Sequence, residues 1–129
     1  MAGKLHHLAQ QKMATEGIIN ETLWLGLYTN AGELTRAQIL SDIEELGGYT
    51  GYERKELELE NWDMAVVGET SIYSYAIQTW TLSFPSSDDV TGYFITNGSI
   101  LLATEHFSLP ANPDRPGFEL KVTPVVVVR

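Results

Sequence analysis

The 129-residue chain is 43% hydrophobic and carries 17 acidic against 8 basic residues, a formal charge of -9; it is long and apolar enough for one domain with a real core, so disorder is not the default reading. The acidic excess repels phosphate and anionic lipid and so argues against nucleic-acid and membrane partners, and the absence of cysteine excludes a disulfide framework and a thiolate metal site. No apolar run approaches the ~20 residues that span a bilayer, and the polar N-terminus has no signal-peptide core, so synthesis and folding in a cytoplasm are expected.

Lys4 to Thr15 reads as a first helix, with Leu5, Leu8, Ala9 and Met13 on one face, Gln10, Gln11 and Lys12 facing away, and Gly17 as its stop. A helix this short is marginal in water, so it must dock on its own domain or on a neighbouring subunit. Thr22 to Thr29 reads as the first strand. Leu23, Leu25 and Leu27 share one face and Trp24, Gly26 and Tyr28 the other, so both faces are expected to be buried, or one covered by the first helix. After the turn Asn30-Ala31-Gly32, a second helix is expected over Thr35 to Leu46. Thr35 and Gln38 fit a capping box, Ala37, Leu40, Ile43 and Leu46 supply the apolar stripe, and Asp42, Glu44 and Glu45 face water. Gly47-Gly48 stops it, and a Gly- and Tyr-rich ordered loop follows.

Glu53 to Glu60 reads as a half-buried strand with Leu57 and Leu59 on one face; its charged flanks suit a sheet edge. Met64 to Val67 is a short continuation before Gly68. Ser71 to Phe84 is the longest strand candidate, with Trp80, Leu82 and Phe84 inward and Thr79, Thr81 and Ser83 outward. Pro85 breaks it, and Ser86 to Asp89 is a polar loop. Val90 to Phe107 is the organising hairpin: Tyr93, Phe94 and Ile95, a two-residue Asn97-Gly98 turn, then the run from Ile100 to Phe107. Pro110, Pro113, Pro116 and Gly117 mark a loop. Phe118, Leu120 and Val122 resume alternation, and the chain closes on four valines, Val125 to Val128, and Arg129. The expectation is a mainly β fold, an antiparallel sandwich or small barrel with an N-terminal helix and one further short helix. Residues 1–17 form a helical arm and residues 18–129 a single β-rich domain.

A search for chemistry returns ordinary explanations. His6 and His7 are adjacent on a helix and point apart, and His106 points away from Glu105, so surface or interface histidines are expected rather than metal ligands. Asp88-Asp89 and Glu44-Glu45 lack the aromatic or basic frame of a catalytic pair. There is no nucleophile elbow, and Gly47, Gly48 and Gly51 fit neither phosphate-binding pattern. Tyr49, Tyr52, Tyr73, Tyr75 and Tyr93 could line a sugar or peptide groove, but suit rim positions with their hydroxyls wet. No catalytic, cofactor-binding or metal residue is assigned. The valine run stands out, because it is strongly β-forming and has no polar face. It is either a central strand buried on both faces or a strand whose outer face meets another subunit.

The order of features resembles small accessory structural proteins of tailed bacteriophages. The resemblance runs from about residue 18 to about residue 125. It is carried by Leu25-Gly26-Leu27-Tyr28-Thr29-Asn30, Gly51-Tyr52-Glu53-Arg54 with Trp62, Trp80-Thr81-Leu82-Ser83-Phe84, Thr91-Gly92-Tyr93-Phe94-Ile95-Thr96, Leu101 to Phe107, and Pro116-Gly117 before Val122-Thr123-Pro124. It implies a non-enzymatic virion component without cofactors, with the major capsid protein or other virion proteins as partners. The acidic charge does not suit a lining for packaged DNA, and the chain has no heptads for a fibre shaft. A capsid cement or decoration protein, self-associating as a dimer or trimer, is therefore the first expectation. A tail or fibre-associated module that contacts a host surface through the tyrosine-rich loops is the second, and a small carbohydrate-binding or hydrolytic domain a remote third. Leu5, Leu8 and Met13 of the helix and Val125 and Val127 of the terminal strand are the candidate partner contacts.

Overall fold

The computed structural model describes residues 4–5, 22–47, 51–82, 89–113 and 117–128. Among the described residues ten strands form in chain order: β1 (Lys4–Leu5), β2 (Leu23–Tyr28), β3 (Lys55–Leu57), β4 (Asp63–Val67), β5 (Thr70–Ser74), β6 (Gln78–Leu82), β7 (Val90–Thr96), β8 (Leu101–Ala111), β9 (Phe118–Val122) and β10 (Val125–Val128). They make three antiparallel sheets, ordered β1-β8-β7-β2-β3, β10-β5-β4 and β6-β9. The fold is mainly β, and among the described residues no sheet closes into a barrel.

The hairpin of β7 and β8 lies at the centre of the five-stranded sheet, with β2 on the other side of β7. Its strands have the β-branched and aromatic content that a pleated surface selects, and every residue of β7 is buried. The connection is longer than the expected two-residue turn. Thr96 pairs with Leu101, so Asn97 to Ile100 all lie in the loop, and only Gly98 takes a positive φ, 99°. Asn97 accounts for the difference, because its Oδ1 accepts the amides of Ser99 and Ile100, both at 2.9 Å. The Thr96 hydroxyl accepts the Gly98 amide and donates to the Ile100 carbonyl. Side chains thus supply the hydrogen bonds that a tighter turn would make with its backbone.

Both faces of β2 are covered, as its sequence requires. On one face Leu23, Leu25 and Leu27 join Tyr93, Ile95 and Ala103 in the main core, which also takes Trp80, Leu82, Leu120, Val122 and Val126 from the other two sheets. Each fully buried large side chain there is worth about 1.5–3 kcal/mol relative to exposure. On the other face Tyr28, Phe94 and Leu101 are closed over by Leu34, with Leu40 and Ile43 packed beside them. That cover is a loop and not the expected helix over Thr35 to Leu46. The Thr35 amide does donate to Gln38 Oε1, as in half of a capping box, but only a single 3₁₀ turn, Leu40–Asp42, follows. The chain then lies along the end of β2. Thr29 N donates to Glu44 O, Leu46 N donates to Leu27 O, and Glu45 bridges to Tyr28. Pairing with an open strand end overrides an intrinsic helical preference of a few tenths of a kcal/mol per residue.

The other sequence expectations resolve unevenly. Lys4 and Leu5 pair with Thr104 and Ala103 as β1, so no helix begins at Lys4; the rest of the expected helix, including Leu8 and Met13, lies outside the described residues. Ser71 to Phe84 is not one strand: β5 and β6 belong to different sheets, and the chain crosses between them at 75–77. Trp80 and Leu82 are buried and Thr79 and Thr81 exposed, as the alternation predicts; Ser83 and Phe84 lie outside the described residues. β3 is a sheet edge, as its charges suggest, but it ends at Leu57, and Leu59 sits exposed in a 3₁₀ turn. The valine strand is not central. Among the described residues β10 ends its sheet and pairs with β5 alone, and it buries Val126 while Val125 and Val127 stay half-buried.

Candidate assembly surface

The candidate polar groups are distributed as structural ties. Glu45, read from sequence as a solvated acid, is half-buried and accepts from Arg54 through Nε at 3.1 Å and Nη2 at 2.9 Å. The Tyr52 hydroxyl donates to the same carboxylate at 2.5 Å and accepts the Leu27 amide at 3.1 Å. Arg54 also lies over the Phe94 ring, 5.3 Å from its centroid. The carboxylate holds the guanidinium charged and raises its pKa; burial, followed by the bond to Glu45, pushes the Tyr52 phenol well above its usual range. This network pins the loop after β2 and the approach to β3 to one another. Sequence gave no sign of it, since the charges of Glu45 and Arg54 meet only once the chain folds back.

Among the described residues the tyrosines do not gather into a groove. Tyr52, Tyr75 and Tyr93 each accept a backbone amide at the hydroxyl oxygen, from Leu27, Glu58 and Val125 respectively. Burial, then the nearby Glu105 charge, raises the Tyr93 phenol pKa as well. Tyr73 is half-buried against the core, and Tyr49 lies outside the described residues. His106 Nδ1 shares a 3.3 Å hydrogen bond with the Tyr28 hydroxyl, and the two rings stack at 6.1 Å across Gly92, which pairs with both residues. Asp89 is exposed and accepts from Asn112 at 2.7 Å; Asp88, His6, His7 and Gly48 lie outside the described residues. Among the described residues no three His, Asp or Glu side chains converge in a way that could hold a metal ion.

The β10-β5-β4 sheet is different in kind. Its register places Val125 opposite Ser74, Val126 opposite Tyr73 and Val127 opposite Ile72, while Met64, Ala65, Val66 and Val67 lie opposite Tyr73, Ile72, Ser71 and Thr70. Residues directly opposite share a face. One face therefore carries Val126, Tyr73, Met64 and Val66, and Val126 and Tyr73 pack into or against the core. The outer face carries Val125, Val127, Ile72, Ala65 and Val67, with Asp63, Ser74 and Thr70 at its margins. Every residue of β4 is exposed, including Met64 at 59%, Val66 at 62% and Val67 at 66%.

The structure thus brings Val125 and Val127 together on one surface and adds Ile72, Ala65 and Val67 to them. Leu5 belongs to another sheet, on β1, but that strand lies alongside β10. The β4 residues were missed as contact candidates. Their signal was present in an uncharged run from Met64 to Gly68 between Asp63 and Glu69, which has no alternation to indicate a face turned to water. Comparisons with protein-family models, curated proteins and solved structures returned no match. What this sheet offers is contiguous apolar side chains beside an open strand edge, the chemistry of association.

Proposed function

We propose that the chain is a non-enzymatic structural protein of a tailed-phage virion, a cement protein that binds the outside of the capsid shell and adds interface between its subunits. The observation that carries this reading is the outer face of the β10-β5-β4 sheet, where Val125, Val127, Ile72, Ala65 and Val67 align and the β4 members are exposed. The order of motifs, which resembles that of accessory virion proteins, supports it. The tail-module reading relied on free tyrosine-rich loops, and the engagement of Tyr52, Tyr75 and Tyr93 with backbone amides favours the shell reading over it. We read the arrangement of sheets as an open antiparallel sandwich that presents one largely apolar face, exposed along β4 and half-buried along β5 and β10.

A cement protein stabilises the assembled state because it binds the lattice better than it binds free subunits. Contacts of about 800 Å² per partner suffice when many copies act together. The test is the mass of the protein in solution together with its copy number on a purified particle. A dimer or trimer in solution, and a copy number that follows the shell lattice, are expected. A copy number that follows the symmetry of the tail would refute the shell assignment, and a monomer absent from any particle would refute the assembly reading altogether.

A further inference from the structure

Among the described residues the outer edge of β4 has no ladder partner, since β4 ends the order β10-β5-β4. The β4–β5 connection is the two-residue Gly68-Glu69 turn, with Gly68 at φ 63°, the conformation that a type II′ hairpin needs at its first central position. In such a hairpin Val67 and Thr70 exchange hydrogen bonds, and bonded pairs alternate along the ladder. Asp63 and Ala65 then direct their backbone groups at β5, while Met64 and Val66 direct theirs outward. Exposed edges are normally blunted by lysine, proline, a bulge or a covering segment. β4 contains neither lysine nor proline, pairs with β5 in unbroken register, and is exposed along its whole length.

The charges along this part of the chain have one sign. Glu56, Glu58, Glu60, Asp63 and Glu69 are all exposed, and the sequence has no lysine or arginine between Lys55 and Arg115. Pairing of two copies of β4 about Ala65 would bring Asp63 of each copy beside the Glu69 end of the other, between chains that each carry a formal charge of -9. Like charges at both ends oppose that arrangement. The complementary occupant is an apolar strand with basic flanks.

We propose that the β4 edge is a strand-addition site: it takes an extended segment of a partner protein whose apolar residues cover Met64 and Val66 and whose flanking lysines or arginines meet Asp63, Glu69 and the neighbouring glutamates. Main-chain hydrogen bonds to Met64 and Val66 provide the pairing, and the acidic surround selects the partner. The inference deepens the assembly reading and takes from it only that a protein partner exists.

The probe is a short labelled peptide with a valine-threonine centre and two lysines at each end, compared with the same peptide carrying glutamates in their place, by fluorescence anisotropy on the full chain. Saturable binding of the basic peptide is expected, with the acidic one about tenfold or more weaker. Val66→Pro removes an outward amide and leaves the bonds to β5 intact, and the double variant Asp63→Lys, Glu69→Lys reverses the flanking charge without touching the edge backbone. Each is expected to weaken the basic peptide about tenfold, with circular dichroism unchanged and an exposed-site control, Leu109→Lys, binding as wild type. Equal binding of the two peptides, no binding, or wild-type binding by both β4 variants overturns the proposal. So does a wild-type dimer that Val66→Pro dissolves, because the occupant is then a second copy. Peptide binding without particle association would remove the assembly reading and leave this one standing; particle association with no peptide response would do the reverse.

Discussion

Gly92 shows how much one side-chain position can carry. Tyr28 lies across it on one side and the Glu105 carbonyl on the other, so a Cβ there would strike both a ring and backbone. Gly92→Ala is expected to cost about 1–3 kcal/mol, seen as a lower urea midpoint with an unchanged slope. Gly26→Ala meets only the Phe94 ring and should cost less. Glu45 is the second such position. Glu45→Ala strands Arg54 and the Tyr52 hydroxyl together, and a loss of about 1–3 kcal/mol is expected in the same assay. Burial raises the phenol pKa values of Tyr28, Tyr52 and Tyr93 above the ordinary phenol value of about 10. A group whose folded pKa is raised binds its proton more tightly in the folded state. Its contribution is therefore complete below about pH 10 and is lost as pH climbs from there toward the folded value. Urea midpoints should hold level across this contribution at neutral pH and fall above pH 10, less steeply in Tyr93→Phe.

Among the elements, strands with a clear period of two were legible and the exceptions have identifiable causes. The alternation of Trp80 and Leu82 with Thr79 and Thr81, and of Leu120 and Val122 with Glu119 and Lys121, reports directly on which side faces the core. The stretch from Thr35 to Leu46 has helical spacing, yet its apolar residues serve as a lid over Tyr28 and Phe94 while its backbone pairs with β2. That difference is measurable. In an exposed helix interior Ala37→Gly would cost about 1 kcal/mol; in the exposed turn observed here only a few tenths of that are expected, again by urea denaturation. The β7–β8 loop gives a complementary check. Asn97→Ala removes the acceptor of two amides, and a loss of about 1 kcal/mol is expected, whereas a true two-residue turn would owe its stability to φ and not to that side chain.

For the whole molecule, the main prediction concerns association and not folding. Val67 is exposed on the outer face of the β10-β5-β4 sheet, so Val67→Asp should leave the thermal midpoint within a few degrees of wild type, as surface substitutions usually do within about ±0.5 kcal/mol. The same change places a charge in the proposed contact and should reduce the oligomer mass measured by sedimentation. A variant that stays fully associated would locate the contact elsewhere. Local sequence decided the β character of the chain, the hairpin at its centre and the inward side of its amphipathic strands, because these depend on side-chain period and turn chemistry over a few residues. It also limited the candidate chemistry through charge and the lack of cysteine. Only tertiary structure decided that Glu45 meets Arg54, that a helical-looking segment becomes a lid, and that the valine strand and β4 close the two ends of one sheet. Those outcomes depend on which distant segment reaches an open strand edge first and buries the most apolar surface there, a competition that no local pattern records.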